Sequence, residues 1–320
     1  MKVFFTSLSR ETGVGNAIRT ISIAIELKRS SNPKLRIVAI DPDNLLGSLD
    51  LPAVEVQRHT SESAARLELR HLAESSTNQV TLVTDLPGMT QQDSTEFRGF
   101  GFSRLVHLCI PGSQDYESDL FISGFPGDLP LKPKSKSTFS GVEFLTVRPE
   151  VQAAKPLKVL ESSSITNVLV AMGGSDPNGN TSLVLRQLRN LGVKVSVILG
   201  PGSSIRPSDK SLFETVNTYA SPNKATYVSA LMSHELVLTQ GGLTANEAMC
   251  LGASVICVKW QKNSTYLESL EKEDLVMLFD PATQDLETLI SMHSATLLRN
   301  RIVAFDLVDG LGASRIAKLI

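Results

Sequence analysis

The chain has 320 residues, of which 42 % are hydrophobic and 20 % charged, and its formal net charge is −2 at pH 7. This composition is ordinary for a globular protein, and the small net charge leaves no global positive field that would recruit nucleic acid. The length favours two domains, each large enough for its own hydrophobic core. We therefore expect a two-domain globular protein without a nucleic-acid partner.

Targeting and cysteine patterns favour a cytoplasmic location. The first residues, Met1 to Thr6, form a strand-like run that lacks the apolar core of a signal peptide. No apolar run reaches the ~18 residues that a membrane-spanning helix needs. Cys109, Cys250 and Cys257 are too few and too widely spaced for a disulfide framework or a zinc site. We predict a cytoplasmic protein with free thiols and no transmembrane segment.

Strands and helices alternate along the first half of the chain. The predicted strands cover 3–5, 36–40, 80–84 and 104–110, and the predicted helices cover 16–29 and 62–73. Residues 124–142 interrupt this alternation because glycine, proline and lysine dominate there, so a loop is expected. Lys132, Lys134 and Lys136 in that segment could attract anionic lipid or a charged acceptor, but a solvated loop is the simpler interpretation.

The second half repeats the same order. Its predicted strands cover 167–171, 194–199, 236–238 and 254–258, and its predicted helices cover 181–191, 227–232 and two further stretches, one ending at Gly252 and one starting near Asp309. Alternating elements favour an α/β fold with parallel sheets. We predict two Rossmann-like domains facing a central cleft: residues 1–150 on the acceptor or sugar side, and residues 151–320 on the nucleotide side.

The run from Thr239 to Gly252 is the most informative motif. A buried strand leads into Gly241 and Gly242, a helix follows, and another strand comes next. Two glycines let the backbone approach an anion closely, and the first N–H groups of the helix then face it. The sequence therefore predicts a phosphate-binding turn made by Gly241, Gly242, Leu243 and Thr244, with Glu247 accepting ribose hydroxyl hydrogen bonds.

A purely structural alternative exists for the same residues. Thr244 and Glu247 have the spacing of a capping box, in which a Thr side chain and a Glu side chain satisfy the first N–H groups of a helix.

A second turn, Gly173-Gly174-Ser175 before Asp176-Pro177, also follows a strand and could close over a phosphate. In that turn Asp176 is expected to cap the helix with Pro177 at its first position.

Four motifs together resemble one family of nucleotide-sugar enzymes. They are Gly13-Val14-Gly15-Asn16-Ala17-Ile18-Arg19, Gly173 to Pro177, Gly241 to Gly252, and Asp309-Gly310-Leu311-Gly312-Ala313, with a weaker fifth at Val147-Arg148-Pro149-Glu150. The order and spacing of these motifs resemble those of one family, which contains the UDP-sugar hydrolase of the pseudaminic acid pathway (PseG) and its spore-coat polysaccharide relative (SpsG). The resemblance implies a GT-B fold over nearly the whole chain and a nucleotide sugar as substrate.

The departures from that family concern its chemistry. The family hydrolase carries a His, implicated in activating water, where this chain has Asn16. An amide has no useful pKa, so Asn16 cannot act as a general base. The family also tends to have a Tyr shortly after the Asp that matches Asp85, whereas Leu86 and Pro87 follow here. Nucleotide binding is therefore a safer expectation than hydrolysis.

The candidate residues outside the nucleotide turns are fewer. Asn16, Arg19 and Asp85 are the catalytic candidates: Arg19 lies one helical turn after Asn16, and Asp85 could replace the missing His as base. The alternatives without a function are that Arg19 is simply an exposed arginine and that Asp85 only forms a turn. The resemblance adds Gly13, Gly15 and Asn263 as sugar-binding candidates. The five histidines are scattered, in no metal-ligand pattern, and are expected to be structural or exposed.

Three functions follow from these patterns. The first is a GT-B glycosyltransferase-like enzyme that uses a UDP- or CMP-linked sugar and a glycan or small-molecule acceptor in surface glycan synthesis. The second is a hydrolase of the resembled family, and the third is a nucleotide-sugar-binding protein without catalysis. No cofactor or metal is expected, because helix N-termini can stabilise the leaving diphosphate.

Overall fold

The computed structural model of the chain describes residues 1–49, 54–108, 116–130, 133–159, 164–259 and 264–320. The strands in chain order are β1 Lys2–Ser7, β2 Leu35–Ile40, β3 Val56–His59, β4 Thr81–Asp85, β5 Arg104–Leu108, β6 Ser118–Ser123, β7 Ser135–Ser140, β8 Asn167–Ala171, β9 Lys194–Leu199, β10 Asn217–Ala220, β11 Leu236–Thr239, β12 Ser254–Val258 and β13 Met277–Phe279. The helices are α1 Gly15–Ser31, α2 Glu62–Glu74, α3 Gln91–Gly99, α4 Pro149–Ala154, α5 Asn180–Leu188, α6 Lys210–Phe213, α7 Lys224–Met232, α8 Gly242–Cys250, α9 Ser264–Lys272, α10 Leu286–Leu307 and α11 Gly312–Leu319.

The chain divides into two compact units. Unit 1 consists of Met1–Ser9, Asn16–Thr146 and Leu311–Ile320, and unit 2 of Arg10–Gly15 and Val147–Gly310. The predicted domains were 1–150 and 151–320. The difference is that the last helix, α11, packs in unit 1, while a short segment near the amino terminus lies in unit 2.

Unit 1 is built on a seven-stranded parallel sheet in the order β3-β2-β1-β4-β5-β6-β7. Helix α1 buries the face that carries Ala17, Ile21, Ala24 and Leu27, residues spaced three or four apart as helical periodicity requires. Helix α11 adds Ala313, Ile316 and Ala317 to the same hydrophobic core, along with strand residues such as Phe4 and Ile37. Gly312 permits this packing, because a Cβ there would lie 2.1 Å from the Leu145 carbonyl oxygen.

Unit 2 is built on a six-stranded parallel sheet in the order β10-β9-β8-β11-β12-β13. The core strands β11 and β12 are buried along their whole length, which explains their uninterrupted apolar sequences. Strands β8 and β11, helix α5 and helix α10 share one hydrophobic core. Both units therefore have the all-parallel α/β architecture that the alternation of elements predicted.

The loop predicted for residues 124–142 is partly wrong. Strand β7 lies within it and pairs in parallel with β6 at one edge of the sheet. Four of its six residues are exposed, so its sequence Ser-Lys-Ser-Thr-Phe-Ser lacks the alternation of hydrophobic and polar residues that predicts a strand. Strand β5 ends at Leu108; the last two residues of the predicted strand 104–110, and Cys109 with them, lie outside the described residues.

The described part of the chain holds no helix both long and apolar enough to cross a bilayer.

Candidate functional site

The strand order of unit 2 reverses between β8 and β11. These two strands are neighbours in the sheet, yet their connections leave in opposite directions, to β9 on one side and β12 on the other. Ligands of open parallel sheets bind beyond the carboxyl ends of the strands at such a reversal. The two glycine-rich turns predicted from sequence, at Gly173 and at Gly241, directly follow these two strands. The topology thus brings both predicted nucleotide turns to one edge of one sheet.

Both turns leave room for a ligand at one glycine. Gly173 has φ of +99° and Gly242 has φ of +65°, backbone conformations that L side chains rarely adopt. Among the described residues, no atom lies within 4 Å of the position where a Cβ would stand at either glycine. The adjoining Gly241, with φ of +91°, precedes the first residue of α8. The first N–H groups of α8, from Gly242 to Thr244, are the groups expected to face an anion there.

Gly174 serves close packing instead. A Cβ at Gly174 would lie 2.8 Å from the Val14 amide nitrogen and 2.5 Å from a Val14 side-chain carbon. A Cβ at the predicted sugar-binding Gly13 would lie 3.5 Å from Ser175 Oγ. The segment Arg10–Gly15, which belongs to unit 2, therefore packs on the first glycine-rich turn. Gly15 has no such neighbour within 4 Å among the described residues.

A polar link joins the two turns. Gln240 Nε2 donates to Asp176 Oδ1 at 2.9 Å. The same carboxylate accepts from the backbone N–H groups of Asn180 at 2.9 Å and Thr181 at 2.7 Å. The predicted N-cap at Asp176 with Pro177 at the first helical position is wrong, because α5 starts at Asn180 and Gly179 holds the N-cap position. Asp176 nevertheless accepts from the first two N–H groups of α5, from four residues before its start. Sequence analysis missed Gln240, because a lone glutamine before two glycines carries no motif.

Glu247 is enclosed in a buried network. Its side chain has no exposed area, and it accepts from Tyr227 Oη at 2.6 Å and from the Arg148 backbone N–H at 3.1 Å. Arg148 Nε lies 3.0 Å from the same carboxylate, and its guanidinium stacks over the Tyr227 ring at 4.0 Å. Thr244 also contacts the Tyr227 hydroxyl. Ribose contact by Glu247 thus requires this network to open, and it stays a prediction.

The capping-box alternative is not formed. Helix α8 starts at Gly242 with Gly241 at its N-cap, so Thr244 and Glu247 lie inside the helix.

Burial raises the pKa of Glu247, and the Arg148 charge opposes this shift. Burial also raises the pKa of the Tyr227 hydroxyl, with a further contribution from the Glu247 charge. Tyr227 therefore keeps its proton and acts as a donor to the carboxylate.

In unit 1 the strand order reverses between β1 and β4, and the predicted catalytic residues meet there. Arg19 on α1 forms a bidentate ion pair with Asp85, the last residue of β4; Arg19 Nε lies 2.9 Å from Asp85 Oδ2. Thr20 Oγ1 donates to the same oxygen at 3.1 Å. Arg19 also donates to Asn16 Oδ1 at 3.1 Å.

This arrangement argues against Asp85 as a base. Its side chain is about 1 % exposed, and both its oxygens accept hydrogen bonds from Arg19. The lone pairs that a base would offer to a proton are thus already directed at Arg19 and Thr20. The structure thus joins Asn16, Arg19 and Asp85 as predicted, but leaves no free carboxylate oxygen among them.

His107 sits beneath this cluster as a neutral group. Its Nδ1 is 2.8 Å from Thr84 Oγ1, and its ring lies 4.7 Å from that of Tyr116. Burial, with the nearby Arg19 charge, lowers the pKa of His107 to about 3. A neutral, buried imidazole agrees with the structural role expected for the histidines. The predicted sugar-binding residue Asn263 lies outside the described residues.

Within the ranges that the structure describes, no group of three or more His, Cys, Asp or Glu side chains is placed to hold a metal ion.

Comparison with known proteins gives distant sequence relatives. No family model matches the chain. An uncharacterised protein of Methanocaldococcus jannaschii is 22 % identical over 275 residues, covering 80 % of this chain and 55 % of that protein. The spore coat polysaccharide biosynthesis protein SpsG of Bacillus subtilis is 25 % identical over 156 residues, covering 46 % of each. The chain therefore spans about half the length of the curated relatives it matches.

Solved structures match over the whole chain. The spinosyn forosaminyltransferase SpnP superposes with a TM-score of 0.66 at 14 % identity, covering 100 % of this chain and 99 % of that one. UDP-GlcNAc 2-epimerase from Neisseria meningitidis, bound to UDP-GlcNAc, gives 0.65 at 12 % identity, covering 100 % and 99 %. MurG from Acinetobacter baumannii gives 0.61 at 13 % identity, covering 100 % and 98 %. At these identities the likeness establishes the fold: the chain has the GT-B fold of two Rossmann-like units with parallel sheets.

Proposed function

We propose that this chain is a glycosyltransferase-like enzyme that binds a UDP- or CMP-linked sugar through the two glycine-rich turns of unit 2. The observation that carries the proposal is the pair of open glycines, Gly173 and Gly242, after the two strands that flank the sheet reversal. A diphosphate needs close backbone approach and N–H donors, and both turns offer them. A solved structure of the same fold is bound to UDP-GlcNAc, which supports a ligand of this class.

Hydrolysis of the resembled family's type does not fit the residues of unit 1, whereas sugar transfer fits if a group elsewhere in the chain activates the acceptor hydroxyl. Hydrolysis needs a group that takes a proton from water, and Asn16 has no basic atom. Asp85 is engaged by Arg19 and Thr20. A relative with a role in spore-coat polysaccharide biosynthesis supports the assignment to surface glycan synthesis. No metal is part of the proposal, since backbone donors can stabilise the leaving diphosphate.

A second candidate is a nucleotide-sugar-binding protein without catalysis. The observation that favours it is that both oxygens of Asp85 are already bonded by Arg19, which leaves no unbonded carboxylate oxygen in the Asn16–Arg19–Asp85 cluster. The two candidates share the nucleotide site and differ only in whether an acceptor is glycosylated.

The first experiment measures binding, by isothermal titration of the full chain with UDP, CMP and UDP-GlcNAc. No heat with any of them would overturn the nucleotide assignment. The second follows donor consumption with and without added sugar acceptors. Consumption that requires an acceptor supports transfer, and binding with no consumption supports the second candidate.

Release of free sugar without an acceptor would favour the hydrolase. We expect little such release from the unmodified chain, because general base catalysis contributes roughly 10²–10⁴-fold. Asn16→His should increase it if the missing imidazole is the limiting group. Rapid release by the unmodified chain that persists in Asp85→Asn would show that another group activates water.

A further inference from the structure

A separate pocket lies beside the first glycine-rich turn of unit 2. Its volume is about 190 Å³, and it is bounded by the segment after Asp176, the end of β9 and the region of α6. Arg10 and Arg206 line it, together with hydroxyl side chains from the start of α5 and from the loop that follows β9. Gly173 and Gly242, the two open glycines, are not among its lining residues.

Arg206 presents its guanidinium at this pocket over a glycine. A Cβ at Gly179 would stand 3.3 Å from Arg206 Nη2 and 3.4 Å from Cζ. Gly179 has φ of +72°, so glycine suits this position both by its backbone and by the space that it leaves. In the part of the chain that the structure describes, Arg206 has no ion-pair partner. Its charge is therefore available to a ligand.

The two carboxylates that line the pocket are satisfied by other groups. Asp176 accepts three hydrogen bonds, from Gln240, Asn180 and Thr181. Asp209 is only 3 % exposed and is paired with Arg186, which does not line the pocket. Arg186 thus compensates the charge of Asp209, and both oxygens of Asp176 are already occupied by neutral N–H donors.

Two buried hydroxyls line the same pocket. Thr181 is 4 % exposed and Ser182 is 7 % exposed, both in the first turn of α5. Neither hydroxyl forms a hydrogen bond with a described residue. Both hydroxyls are therefore free to bond a ligand that enters the pocket.

We propose that this pocket is a second anion site, which takes a phosphate monoester. A guanidinium offers a planar fork of donors to phosphate oxygens, and the Thr181 and Ser182 hydroxyls add two further donors. The source of the phosphoryl group is either free phosphate or a sugar phosphate. The site is distinct from the Gly173 and Gly242 turns, and its occupancy does not depend on nucleotide binding.

The test is isothermal titration of the full chain with inorganic phosphate, and in parallel with glucose 1-phosphate, each with and without saturating UDP. We expect binding in both conditions. Arg206→Ala should weaken it about tenfold or more, since a hydrogen bond to a charged group contributes roughly that factor. Thr181→Val, which keeps the side-chain shape, should weaken it several-fold. Tighter binding of glucose 1-phosphate than of phosphate would identify the sugar phosphate as the source, and equal binding the free anion.

Arg189→Ala is the matched control, because Arg189 is an exposed arginine at the end of the same helix that does not line the pocket. Equal phosphate affinity in Arg206→Ala and Arg189→Ala would overturn the proposal. Loss of phosphate binding on saturation with UDP would also overturn it, by showing a shared site. Failure of UDP to bind would count against the nucleotide assignment alone, because the phosphate titration without UDP still reports on this pocket.

Discussion

Gln240 and Asp176 tie together the two turns on which the proposed function rests, with Gln240 Nε2 2.9 Å from Asp176 Oδ1. Gln240 immediately precedes Gly241, and Asp176 immediately follows Ser175. The bond therefore fixes the spacing of two backbone segments that come from different strands. A diphosphate bound by both turns would need that spacing, because hydrogen bonds to phosphate lose strength steeply with misalignment.

Gln240→Leu should lower UDP affinity several-fold and reduce the free energy of unfolding by about 1 kcal/mol, the typical net worth of a hydrogen bond. Gln187→Leu is its control, since Gln187 Oε1 accepts from the Leu286 N–H at 2.8 Å and lies in neither turn. Calorimetry measures the UDP affinity of both variants, and urea unfolding measures their free energy of unfolding. A similar stability loss with an affinity loss only in Gln240→Leu is expected; equal affinities would remove Gln240 from the site.

Gly242→Ala should abolish or greatly weaken UDP binding, because its methyl group would stand in the space that the phosphate needs. The control is Gly192→Ala. Gly192 has φ of +70°, close to the +65° of Gly242, and within the described residues a Cβ there also meets nothing within 4 Å. Both variants should lose about 1–2 kcal/mol from the left-handed backbone. Unchanged UDP affinity in Gly242→Ala would place the diphosphate elsewhere.

Tyr227→Phe removes the donor at 2.6 Å from Glu247 while it keeps the ring under Arg148. We expect a loss of roughly 1.5–3 kcal/mol in the free energy of unfolding, as for other hydrogen bonds to charged groups. If Glu247 only supports α8, then Glu247→Gln should likewise lower the melting temperature more than the UDP affinity. A large affinity loss in Glu247→Gln at unchanged melting temperature would instead show ribose contact.

Asp119→Asn should destabilise the chain by about 1 kcal/mol at pH 7, as expected for a partly exposed ion-pair cluster. Arg98 and Lys136 bond the Asp119 carboxylate, and the Leu105 N–H donates to it at 2.8 Å. Although burial acts to raise it, these bonds lower the pKa of Asp119 to about 2. The stabilisation is complete above the unfolded pKa near 3.9 and disappears as the pH falls towards 2.

Urea unfolding at pH 7, 4 and 3 tests this pH dependence. The difference between the native chain and Asp119→Asn should shrink as the pH falls below 4. Asp306→Asn, a change at an exposed carboxylate on α10, serves as the control. A difference that stays constant down to pH 3 would show that the charge of Asp119 contributes nothing.

The sequence was sufficient for the elements that are buried and regular. Strands β8, β11 and β12 and the helices that follow β1 and β11 were predicted because buried apolar runs and helical spacing leave a clear periodicity. The two glycine-rich turns were predicted for a different reason: a positive φ and a close approach of the backbone restrict these positions to glycine. Strand β7 was missed, because an exposed edge strand needs no apolar alternation.

The partners of each site residue were decided by the tertiary structure alone. Arg148 and Glu247 are 99 residues apart and become an ion pair only when α4 packs near α8. Arg19 and Asp85 are 66 residues apart and meet only because β1 and β4 are adjacent strands. The sequence gives the type and charge of each side chain, but the burial of a side chain and its ion-pair partner depend on contacts between distant segments. The sequence by itself therefore determined the α/β class and the location of the two glycine-rich turns, while the fold decided which carboxylate oxygens are already bonded by other side chains.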